Sequence, residues 1–141
     1  MIVLVYGSEI ISNRIKQLLN SNDVEIITVT DKITRPKDLN LLRKLRNIDL
    51  AIVDINETGA EKACSYLGRV RQISLALLVD EMDTNWEQLI SYPVAAYLPK
   101  DAEDTVLASD IQRVISRICI TNEISRTERE VTVRNLELVM G

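Results

Sequence analysis

The chain has 141 residues, the length of one ordinary domain, and 46% of them are apolar, which supports a hydrophobic core and excludes a compositionally disordered chain. The formal net charge is −4 with both signs spread along the sequence, so there is no basic footprint for nucleic acid. Histidine is absent, which excludes Ser-His and Cys-His catalysis, and the four glycines (Gly7, Gly59, Gly68, Gly141) form no phosphate-cradling motif.

IVLVY (2–6) is a strand candidate. Ile11, Ile15, Leu18 and Leu19 then fall at i, i+4, i+7 and i+8, one face of a helix, and the polar run 20–23 ends it. VEIITVT (24–30), rich in β-branched residues, is a second strand. Pro36 suits the first turn of a helix that Leu39, Leu42 and Leu45 continue. DLAIVD (49–54) is a third strand, its apolar run set between Asp49 and Asp54 and covered on both faces. Ala60, Ala63, Cys64, Leu67 and Val70 mark the core face of a third helix. ISLALLVD (73–80) is a fourth, nearly continuous apolar strand. Trp86, Leu89 and Ile90 mark a short helix over 84–91, with Trp86 expected against the sheet. VAAYLP (94–99) is a fifth strand, closed by Pro99. Leu107, Ile111, Val114, Ile115 and Ile118 give a long amphipathic helix over 103–119.

No apolar run approaches the roughly 18–20 residues of a membrane span. MIVLVYGSE lacks the charged flank and the length of a secretory signal, so a cytoplasmic location without membrane contact is expected. Cys64 and Cys119 form no CxxC pair and no metal spacing, and are expected to be two small buried thiols.

Five βα units in succession predict an α/β fold, a doubly wound five-stranded parallel sheet of flavodoxin-like order 2-1-3-4-5 with helices on both faces. Function in such a fold lies at the carboxyl ends of the strands, near the switch point between the first and third. Gly7–Glu9 and Asp54–Glu57 line that rim, with 80–83 and Lys100 nearby.

At these residues the chain resembles the receiver domain of bacterial response regulators. DLAIVDIN followed by Gly59 is similar to the family's phosphoacceptor strand and loop, typically DLVLLDINMPG. AAYLPKD (95–101) is similar to the end of its fifth strand, often GYLLKD, and the spacing of Asp54 and Lys100 fits. The resemblance spans about residues 1–119 and is most like the LuxR/NarL branch, in which a receiver precedes a helix-turn-helix domain. In the family an aspartate accepts a phosphoryl group, while Mg²⁺ held by that aspartate and two acidic residues after the first strand offsets the charge. A lysine pairs with the phosphoryl oxygens, a Ser or Thr ending the fourth strand bonds the phosphate, and an aromatic on strand five follows it. The resemblance puts Asp54 at the acceptor position, Lys100 at the lysine, Tyr97 at the switch aromatic and Asn56 where a backbone carbonyl meets the metal.

The departures are equally specific. Tyr6-Gly7-Ser8 stands where the acidic pair belongs, and Glu9 is the nearest carboxylate. Val79 stands at the Ser/Thr position and cannot hydrogen-bond a phosphate, while Asp80 beside it would repel one. Glu57-Thr58 replaces the family's Met-Pro. These losses imply an atypical receiver, a pseudo-receiver in which Asp54 pairs with Lys100 and no cofactor is required. The alternative is a working phosphoacceptor, Asp54 with Mg²⁺, in which Glu9 serves the metal. Beside both stand the plain readings, Asp54 as a strand-end carboxylate and Glu9 as a partner of the helix dipole. A small enzyme on this scaffold would lack histidine, a phosphate loop and a nucleophile motif, and a flavin site would lack a Ser/Thr run after the first strand.

Residues 120–141 lie beyond the five units. Ile124, Val131 and Leu138 recur every seven residues, as in a helical seam, and TEREV and LELVMG resemble the start of a LuxR-type helix-turn-helix domain without its reading helices. A linker or dimerisation tail, or the first residues of a DNA-binding domain, is expected there. The expected function is the regulatory and dimerisation module of a transcription factor, not an enzyme. Its partner would be a second copy of itself, with a protein or small-molecule ligand as signal and DNA contacted only through residues outside this chain.

Overall fold

Runs of aliphatic and β-branched residues hold five segments in extended backbone: β1 (Ile2–Tyr6), β2 (Glu25–Val29), β3 (Leu50–Asp54), β4 (Ser74–Val79) and β5 (Ala96–Pro99). They are seen in a computed structural model that describes residues 1–20, 23–80 and 94–121. Every pairing is parallel, and the strand order is β2-β1-β3-β4-β5, the expected doubly wound arrangement. β3, at the centre, is buried along its whole length.

Between the strands run α1 (Glu9–Leu18), a 3-10 turn (Pro36–Leu39) leading into α2 (Asn40–Arg43), and α3 (Ala60–Cys64), which widens into a π-helical segment (Ser65–Val70). A final helix, α4, covers 104–121. Strand side chains alternate between two cores. Leu4, Tyr6, Ala51, Val53, Leu75, Leu77 and Val79 meet Leu42 of α2 and Ala60, Ala63, Cys64 and Leu67 of the third helical segment. Val3, Val5, Leu50, Ile52, Ala76, Leu78 and Leu98 meet Ile15 of α1 and Leu107, Ile111, Val114 and Ile115 of α4. Asp54 has the parity of Leu50 and Ile52, so its carboxylate belongs to the α1/α4 face.

Three expectations are corrected. Val70 is 70% exposed rather than part of the core. In the π-helical segment each residue advances less around the axis than in an α-helix, as the Arg71 N–H bond back to the Tyr66 carbonyl shows, so the last apolar position turns to solvent. Cys64 is buried as expected, but Cys119 is exposed, in the last turn of α4, where residues 119–121 are all exposed. The second helix is a four-residue 3-10 turn followed by a four-residue α-helical stretch, and of its leucines only Leu42 is fully buried. The helix expected over 84–91 with Trp86, and the seam of Ile124, Val131 and Leu138, lie outside the described residues. Among the described residues no helix is long and apolar enough to cross a membrane.

The two aspartates of DLAIVDIN have separate tasks. Asp49 closes the lower end of the sheet: its Oδ2 accepts the Ile2 N–H at 2.8 Å, and its own N–H donates to the Ile2 carbonyl at 2.9 Å. Asp54 stands at the upper rim. On the α2/α3 face of that rim, the buried Tyr6 hydroxyl donates to the Thr58 carbonyl at 2.6 Å and accepts the Ile33 N–H at 3.0 Å. One phenol thus ties β1 to the loops after β2 and β3. Gly59 has φ +84°, and a Cβ there would run into the Ile33 carbonyl oxygen and lie 2.7 Å from the Tyr6 hydroxyl. Only glycine fits both the backbone conformation and the space.

Burial raises the Tyr6 phenol above its ordinary value, against the Ile33 N–H bond, which favours the ionised form. The folded state therefore holds that proton more firmly than the unfolded state. Stability is complete below pH about 10 and falls as pH rises through the folded value. Tyr6→Phe is expected to remove this alkaline loss and to lower stability at neutral pH by about 1–3 kcal/mol, since a buried N–H loses its acceptor. Urea unfolding at pH 7 and 10.5 measures both effects. Gly59→Ala is expected to cost at least about 2 kcal/mol by the same measurement, because the Ile33 carbonyl is backbone and the Tyr6 hydroxyl is held by two hydrogen bonds.

Candidate functional site

The run LAIVD ends with its carboxylate at the carboxyl edge of the central strand, where a doubly wound sheet places ligands. Asp54 is 2% exposed. Its Oδ1 accepts the Asn56 N–H at 3.1 Å and its carbonyl accepts the Glu57 N–H at 3.0 Å, so the side chain and the turn after β3 fix each other. Its Oδ2 meets the Lys100 ammonium at 2.8 Å. The Lys100 side chain remains 30% exposed, so its far side reaches water while its charge faces the buried carboxylate.

Lys100 is brought there by the sheet. β5 pairs with β4 through Val79–Pro99, and the Lys100 N–H extends that ladder by donating to the Val79 carbonyl at 2.9 Å. Lys100 shares the parity of Leu98, which puts it on the α1/α4 face with Asp54. Gly7 leaves room above the carboxylate: a Cβ on it would lie only 3.3 Å from the Asp54 Cβ.

The other expected site residues are placed as follows. Asn56 joins the site through its backbone N–H, with its side chain exposed. Ser8 is the N-cap of α1, its Oγ accepting the Ile11 N–H at 3.3 Å. Glu9 is exposed in the first turn of α1, where its charge suits the helix dipole. Val79 is buried among the side chains of the α2/α3 face, and Tyr97, 48% exposed, projects from β5 opposite to Leu98. The structure thus unites Asp54, Asn56 and Lys100, with Gly7 above them, and turns Val79 and Tyr97 away.

Two residues that sequence reasoning passed over belong to the rim. Tyr6 read only as an occupant of the missing acidic pair, yet its hydroxyl holds two loops. Arg14 stands in sequence beside the Ile11–Ile15–Leu18 face and entered none of the motifs. Its guanidinium donates to the Lys100 carbonyl at 2.7 Å, to the Ala102 carbonyl at 2.6 Å and to Asp104 Oδ1 at 2.9 Å. The one available signal was an arginine next to a core face, too common to single out.

A divalent cation beside Asp54 would require further hard oxygen ligands. The two residues after Val5 supply a phenol turned to the opposite face and no side chain at all. Asp54 is already neutralised by Lys100, and among the described residues no three acidic, cysteine or histidine side chains come together. Among the described residues, those beside Asp54 do not supply the further ligands that Mg²⁺ needs.

No family model and no curated protein matches the chain. Solved structures do. The signal receiver domain of an HD domain-containing protein from Pseudomonas fluorescens Pf-5 superposes with a TM-score of 0.68 at 20% identity, over 86% of this chain and 91% of its own. The chemotaxis response regulator CheY4 of Vibrio cholerae gives 0.61 at 23% identity, over 80% and 97%. The signal receiver domain of a histidine kinase from Syntrophus aciditrophicus gives 0.62 at 21% identity, over 82% and 89%. At these identities the likeness is one of architecture, and the chain has the fold of the signal receiver domain.

Proposed function

We propose that the chain is an atypical receiver, a signalling module in which the Asp54–Lys100 ion pair takes the place of a phosphorylation switch. The observation that carries this reading is the pair itself: the acceptor-position carboxylate is buried and held at 2.8 Å by the lysine-position ammonium. The residues around the pair support the same reading. Gly7 carries no ligand atom, and Val79 carries no hydroxyl and points to the other face. The module is non-enzymatic and cytoplasmic, with residues 1–119 as the regulatory domain and the residues after it as a linker or dimerisation tail.

As in the LuxR/NarL branch it resembles, it serves as the regulatory and dimerisation domain of a transcription factor. Its partner is a second copy of itself, and Val106 and Ile120, exposed on α4 two heptads apart, give that contact apolar anchors. Its input is a protein or small-molecule ligand, not a phosphoryl donor.

The test is beryllofluoride binding in millimolar Mg²⁺, followed by amide shifts at Asp54, Val79 and Lys100. We expect no saturable shifts. Saturable shifts that vanish in Asp54→Ala would establish Asp54 as a phosphoacceptor and overturn the proposal. A double-mutant cycle reads the pair itself. Lys100→Met leaves Asp54 buried and unmatched, and is expected to cost about 2 kcal/mol, below the roughly 3–5 of a fully enclosed pair because Lys100 reaches water. Adding Asp54→Asn should recover most of that loss in urea unfolding, since the unmatched charge is gone.

A further inference from the structure

Lys100 is a long, flexible side chain at the end of an edge strand, yet its ammonium sits in hydrogen-bonding contact with a buried carboxylate. A lysine has many rotamers, so something must fix the backbone from which it springs. On one side the sheet does so, through the Lys100 N–H to Val79. Beyond Lys100 the chain leaves the sheet, and the turn's own bond, Ala102 N–H to the Pro99 carbonyl, is long at 3.3 Å. The strong ties there come from another element. Arg14 of α1 spends all three guanidinium nitrogens on the stretch 100–104: the carbonyls of Lys100 and Ala102 and the carboxylate of Asp104, in the first turn of α4. Its side chain is only 25% exposed.

We propose that Arg14 is the positioning residue of the Asp54–Lys100 pair. By gripping the carbonyl of the same residue whose ammonium meets Asp54, it orients the lysine stem and joins α1, the rim and the start of α4 into one unit. The planar fork matters. Three donors fixed in one plane can serve two carbonyls and a carboxylate together, which a single ammonium cannot. Nothing in this role involves touching a substrate. Arg14 acts on Asp54 only through Lys100. The inference rests on the reading of the ion pair as the working element of the site.

The test is competitive acetylation of lysines in the full chain by a soluble active ester, each site quantified by peptide mass spectrometry. Lys37, exposed and distant, is the reference. Lys62, whose ammonium bonds the Thr34 carbonyl at 2.7 Å on the α2/α3 side, reports general loosening. In the wild type, Lys100 should react several-fold more slowly than Lys37. In Arg14→Met the Lys100-to-Lys37 ratio should rise by about threefold or more while Lys62 stays at its wild-type ratio, and Arg14→Lys should fall between the two. An unchanged Lys100 ratio, or an equal rise at Lys62, overturns the proposal for Arg14 and leaves the ion pair standing. Lys100 reacting as fast as Lys37 in the wild type overturns the ion-pair reading itself. If Arg14→Met does not fold, Arg14→Lys decides alone, and a wild-type Lys100 ratio in it is the refuting result.

Discussion

A carboxylate that solvent scarcely reaches has to be matched by a charge or by donors inside the protein, because its hydration is gone. The rim of this sheet is arranged around that requirement at Asp54. One oxygen takes the Asn56 N–H and the other takes the Lys100 ammonium. The turn after β3, the end of β5 and the glycine after β1 all have the conformation that lets this happen. The parallel sheet sets the condition: covering β3 on both faces is what buries its last residue.

The fold was legible because its signals are long and periodic. The continuous apolar runs of β3 and β4 require cover on both faces, and the heptad-like spacing from Leu107 to Ile118 describes α4 closely. The misreadings arose where a local backbone change breaks the period. Val70 falls off the core face because the third helix widens, and no residue pattern in SYLGRV announces a π-turn. Cys119 lies at i+4 from Ile115 but in the last turn of α4, where residues 119–121 are all exposed, and a prior for cysteine as a residue type ignores where along a helix it falls.

The site was legible in part for the same physical reason. Asp54 and Lys100 end strands, and strand ends can be counted. Parity then puts both on one face, and the pairing is the direct result. Parity also explains why Val79 and Tyr97 do not join them: both occupy the alternate positions of their strands. Arg14 and Tyr6 were not legible, because each acts across the fold on backbone groups. A backbone carbonyl such as that of Lys100 or Thr58 is present at every residue, so the sequence carries no mark of which one a side chain will reach.

The lack of carboxylates after β1 and the direct contact of Asp54 with Lys100 are two sides of one charge balance. A site with three carboxylates holds more negative charge than one ammonium can offset, and a divalent ion restores the balance. Two like charges about 4 Å apart repel by roughly 4 kcal/mol at an effective dielectric constant near 20. A carboxylate on residue 7 would start from a Cβ only 3.3 Å from that of Asp54, close enough for such repulsion to compete with the lysine contact. With glycine there, one buried negative charge faces one ammonium. Tyr6 adds the complementary change on the opposite face, where its neutral hydroxyl joins the loops after β2 and β3 and adds no charge to the rim. Gly7 and Tyr6 therefore belong with Lys100 in a single arrangement, in which the buried carboxylate has an ammonium against it and no second carboxylate at the two positions after Val5.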